Sequence, residues 1–101
     1  MRTLILIVVA AGLSSAAGIS LAAEGVPKFD IARECRSEGG SQAVQKKCAD
    51  DEQAARDQLQ PLWAQSGAAD KATCVKETSL DGTPSYVELL TCLEMARDVK
   101  K

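Results

Sequence analysis

From residue 25 onward the apolar positions recur on a helical period, and turn-forming residues cut the chain between one run and the next. Lys28 to Ser37 reads as a short first helix, begun after Pro27 and ended by Gly39-Gly40. Ser41 stands in an N-cap position, and from Gln42 the residues Val44, Cys48, Ala55, Leu59 and Leu62 or Trp63 follow helical spacing. On this second helix Glu52 and Arg56 form an expected i,i+4 pair on the outer face, and Asp50, Asp51 and Glu52 together read as a solvated face. Pro61 lacks an N–H and crowds the preceding turn, so it predicts a kink, or a new turn carrying Leu62 and Trp63. Ser66-Gly67 breaks the chain again. Ser66 is the expected cap of a third helix near Ala68 to Thr78, with Asp70 in the first turn, where the helix dipole favours an acid.

Asp81-Gly82-Thr83-Pro84 predicts a turn, and Ser85-Tyr86-Val87-Glu88 matches a capping box. In that arrangement the Ser85 oxygen accepts from the Glu88 amide, and the Glu88 carboxylate accepts from the Ser85 amide. Behind it, Tyr86, Leu89, Leu90, Leu93 and Ala96 make the cleanest apolar stripe of the sequence. There is no alternating strand pattern and no repeat. The fold expected is all-α, a small bundle of about four short helices.

The first residues differ from the rest. Arg2, the apolar run Leu4 to Leu13 and the Ser, Ala and Gly-rich stretch Ser14 to Ala23 have the order of a secretory signal. Cleavage is expected after Ala22, giving a signal over 1–22 and a helical four-cysteine domain over 23–101; a cut after Ala23 is the alternative. The competing reading is an uncleaved anchor, since Thr3 to Ala23 carries no charge. Gly12, Ser14, Ser15, Gly18 and Ser20 make its second half a poor membrane helix, which favours cleavage.

A domain over 23–101 buries only about two thirds of the surface its unfolded chain exposes, so its core alone is marginal. Cys35, Cys48, Cys74 and Cys92 supply the remedy: an even count in a short exported chain reads as a disulfide framework. Helices three and four should form a hairpin about the Asp81 turn, where Cys74 and Cys92 each lie roughly 10 Å from the bend and can meet. Cys48 and Cys74 lie roughly 26 and 12 Å from the Ser66 bend, which disfavours that pair and with it Cys35–Cys92. Two connectivities survive. Cys35–Cys48 with Cys74–Cys92 is preferred over Cys35–Cys74 with Cys48–Cys92.

Composition mostly excludes. Without Arg2, eleven basic residues face fourteen acids, a net charge of −3 with no basic patch, which argues against nucleic acid or anionic lipid as partner. No histidine is present, so Ser-His-Asp and Cys-His catalysis and His-based zinc sites are absent together. The cysteines contain no Cys-x-x-Cys spacing, which removes a thioredoxin-like centre or zinc ribbon. No cofactor, metal ligand or catalytic residue is expected, and an enzyme would need converging acids in a cleft for which a domain this small has little room. Trp63 and Tyr86 are expected in the core rather than as interface anchors, and Gly39 to Ser41 and Asp81 to Ser85 as connecting loops.

Phe29-Asp30-x-Ala32 before Cys35, Cys48 followed by Asp50, Leu59 with Trp63, Asp70-Lys71 ahead of Cys74, and Cys92 with Arg97 are scattered along nearly all of region 23–101. In these positions the chain resembles the N-terminal domain of the LprI-like lysozyme inhibitor family. The resemblance implies a helical exported domain with four comparably placed cysteines and a Trp before the third. It assigns no inhibitory residue.

The function expected is that of a non-catalytic, exported binding protein of the periplasm, acting by protein–protein contact, with lysozyme inhibition as the special case. The alternative is a structural or stress-related component of the cell envelope. A protein partner is expected, and no membrane association of the mature form.

Overall fold

The computed structural model describes residues 25–100, so the signal expected over 1–22 and its expected cleavage point lie outside the described residues. Among the described residues four helices follow one another: α1 (Ile31–Glu38), α2 (Gln42–Gln65), α3 (Ala68–Thr78) and α4 (Tyr86–Val99). The described residues contain no strand, and the all-α bundle expected from the periodicity is the fold. α2 is its spine, packed along α4 and touched by α1 near its start, while α3 folds back against α4.

The core is built where α2 and α4 meet. Ala55, Leu59, Leu62 and Trp63 of α2 pack with Cys74 of α3 and with Tyr86, Leu89 and Leu93 of α4. Leu59, Leu89 and Leu93 are essentially inaccessible to water, each contributing about 1.5–3 kcal/mol through burial. Trp63 and Tyr86 are both core residues, with the Lys71 ammonium 5.0 Å from the Trp63 ring centroid and the Phe29 ring 4.7 Å from that of Tyr86. Val44, on the same apolar period as Leu59, is instead 56% exposed. At 24 residues α2 outruns the 14-residue α4, so its first turns have only α1 beside them.

The helix termini show where local signals yield to tertiary contacts. α1 begins at Ile31, not Lys28, and Asp30 caps it by accepting from the Arg33 amide at 3.0 Å. Residues 27–29 stay outside the helix, held to Tyr86 instead. The Tyr86 hydroxyl donates to the Pro27 carbonyl and accepts from the Phe29 amide, both at 2.8 Å. Gly39 and Gly40 end α1 at φ 77° and 97°, and a Cβ on Gly40 would lie 2.9 Å from Val44 Cγ1. Ser41 caps α2 as expected, accepting from the Val44 amide.

α2 continues through Pro61 to Gln65 rather than ending or restarting there. Pro61 faces solvent, so the carbonyl it cannot serve is on the wet side, and Leu62 and Trp63 anchor the helix beyond it. Ser66 does not cap α3. It closes α2, its hydroxyl donating to the Leu62 carbonyl at 2.7 Å, and α3 starts from Gly67 without a side-chain cap. Asp70 in the first turn of α3 pairs with Lys100 beyond the end of α4, tying the two termini together.

Candidate interaction surface

The four cysteines form Cys35–Cys48 and Cys74–Cys92, with Cα separations of 5.7 and 5.6 Å. The first bolts the eight-residue α1 to α2, and the second joins α3 to α4. Cys35 and Cys74 are buried, and no cysteine is free among the described residues. Structural disulfides persist in oxidising compartments, which is where a chain carrying both belongs. Among the described residues no helix is long and apolar enough to cross a membrane, and no group of His, Cys, Asp and Glu is arranged to hold a metal ion.

Glu52 departs most from expectation. It is not on a solvated face beside Arg56 but buried, and it caps α4 from across the bundle. Its carboxylate accepts from the Ser85 hydroxyl and the Tyr86 amide, each at 2.6 Å, and from the Val87 amide at 3.4 Å. These amides belong to the first turn of α4, which has no intrahelical acceptors for them and whose dipole favours an anion. Arg56 lies over the Tyr86 ring, 5.8 Å from its centroid. Asp50 and Asp51 do stay outside, paired at 2.7 and 2.9 Å with Lys46 and Lys47.

The capping box of α4 is half as drawn. Ser85 Oγ accepts from the Glu88 amide at 3.3 Å, but the reciprocal bond runs through Thr78. The Thr78 hydroxyl accepts from the Ser85 amide at 2.9 Å and donates to the Glu88 carboxylate at 3.0 Å. α2, α3 and α4 therefore all converge on one helix N-terminus. Its polar atoms are fully engaged, and among the described residues no buried side-chain polar atom lacks a partner.

Glu34 of α1 is also buried, beside this network. Its carboxyl is held above the ordinary carboxylate range, first by burial and further by the acids Glu38 and Glu52, against a lowering hydrogen bond from Thr83. A group whose pKa is raised by folding gives its full stabilisation at low pH and loses it as pH rises through the folded value. Glu34→Gln should therefore raise the Tm at pH 7, with a gain over the parent that shrinks toward pH 3.5. A gain independent of pH between those values would show that Glu34 charge is not the cause.

The outward side of α4 carries what the core does not use. Val87, Thr91, Met95 and Val99 stand four residues apart along it, and Val87, Met95 and Val99 are 42, 63 and 85% exposed. Glu88 and Asp98 share that side. Val87, Glu88, Thr91, Cys92 and Met95 line an open groove whose far wall is Glu77 of α3. The Glu77 carboxylate sits 3.3 Å from the Cys92 sulfur, so the Cys74–Cys92 bridge fixes the spacing of the two walls. The inward stripe of Tyr86, Leu89, Leu90, Leu93 and Ala96 accounts for only one side of this helix. Continuing the same 3.6-residue period to the opposite side finds this second stripe.

No family model, curated protein or solved structure matches this chain.

Proposed function

We propose that this is a non-catalytic exported protein that acts in the periplasm by protein–protein contact, with lysozyme as the first target to test. The observation that carries the reading is the outward side of α4. Val87, Met95 and Val99 are apolar and accessible on a helix capped by Glu52 and clamped by Cys74–Cys92. A preorganised surface loses little conformational freedom on binding, which is how a small contact area becomes useful. The two disulfides fit the same oxidising setting.

Two measurements test it. Excess purified protein is expected to slow lysis in a lysozyme turbidity assay, and Met95→Asp to restore it; unchanged lysis with the parent removes lysozyme and leaves contact itself standing. Capture from native periplasm should then recover a stoichiometric partner with the parent and lose it with Met95→Asp. No partner, or equal capture by both proteins, sinks the contact reading.

A further inference from the structure

We propose that the outward side of α4 is a docking surface for a cationic, amphipathic polypeptide segment; this rests on the contact reading above and specifies the chemistry of the partner. Two features select that occupant. The first is shape. From Val87 to Val99 the side extends roughly 18 Å and is one helix wide, which matches a single segment rather than a standard two-protein interface of about 800 Å² per partner. The apolar seats are Val87, Met95 and Val99, with Thr91 between them.

The second feature is charge. Glu77 and Glu88 line the groove beside the seats, and no Lys or Arg does. Arg97 bonds Asp98 at 3.1 Å, and Lys100 is engaged with Asp70. Lys or Arg side chains on an incoming segment would meet these acids while its apolar residues cover Met95 and the Val87 rim. A second copy of this chain fits poorly. Two α4 helices packed antiparallel through this stripe bring Glu88 of one opposite Asp98 of the other, and packed parallel they align every acid with itself; like charges so placed repel.

The probes are a synthetic Leu–Lys amphipathic helix, its Leu–Glu counterpart and a neutral Leu–Gln version, each titrated into isotopically labelled folded protein and followed by amide NMR. The Leu–Lys peptide is expected to shift the amides of Val87 to Val99, with affinity falling about tenfold in Met95→Asp and about fivefold in Glu77→Lys. Both variants substitute accessible or half-buried positions, and an unchanged Tm verifies that they fold. Added salt should weaken binding, and the Leu–Glu peptide should not bind here.

Shifts confined to another surface, or undiminished affinity in both variants, would overturn the proposal. So would equal binding of the Leu–Gln or Leu–Glu peptide, which refutes the cationic class while leaving contact through this side intact. A concentration-dependent dimer abolished by Met95→Asp would name a second copy as the occupant instead. If no peptide binds and periplasmic capture survives Met95→Asp, both this surface and the reading that rests on it fail; if no peptide binds but capture is lost, only the cationic assignment does.

Discussion

Glu52→Ala is expected to lower the Tm by about 15 °C, a loss of about 3 kcal/mol, while Asp50→Ala and Asp51→Ala leave it nearly unchanged. The three acids are consecutive and chemically almost alike, so the contrast isolates position. Removing the Glu52 carboxylate leaves the Ser85 hydroxyl and the Tyr86 and Val87 amides without their acceptor at a buried helix end. Orphaned buried groups cost about 1–3 kcal/mol each, reduced where water enters the space left behind. Glu52→Gln should fall between, because its amide retains one acceptor oxygen but turns a donor toward one of the donors. Thermal melts by circular dichroism of the four variants check this. Equal Tm values for Glu52→Ala and Asp51→Ala would mean that the trans cap contributes nothing.

The second large effect is that of the disulfides, and here the two bridges are expected to differ. Closing loops of 13 and 18 residues predicts about 3 kcal/mol from chain entropy for either one. Their native surroundings break the tie. Cys74 belongs to the main core cluster and its bridge joins two helices that pack on each other, whereas Cys35–Cys48 holds a short helix at the edge. Cys74→Ala/Cys92→Ala should therefore cost about 4 kcal/mol, near the whole stability of a domain of this size, and leave it largely unfolded at 37 °C. Cys35→Ala/Cys48→Ala should release α1 with a smaller fall in Tm, because α1 can open locally while α2, α3 and α4 persist. Hydrogen exchange separates the two outcomes. Uniform loss of protection in both variants, or the opposite order of Tm, would refute the ranking.

Most of the helical organisation was legible in the chain because the signals for it are local. Ser41 and Ser85 cap the helices they precede, Gly39-Gly40 supplies the positive φ that ends α1, and Tyr86, Leu89 and Leu93 fall on one face by spacing alone. The candidate surface was legible in part. Val87, Met95 and Val99 are apolar and lie off the inward stripe, but a sequence does not say that the groove beside them is completed by Glu77 from another helix.

Local signals along the chain set the identity of the elements over the described residues: four helices, their breaks, and an even set of cysteines able to staple them. The tertiary structure decided which residues those elements spend on one another. It chose one of the two surviving cysteine connectivities, took Glu52 inside while leaving Asp50 and Asp51 in water, held residues 27–29 out of α1 and against Tyr86, and left Val44 exposed. The reason is that periodicity fixes the side of a helix on which a residue stands, whereas burial depends on whether another helix arrives at that side. Glu52 is buried because the amides of a helix more than thirty residues away end there with no acceptors of their own.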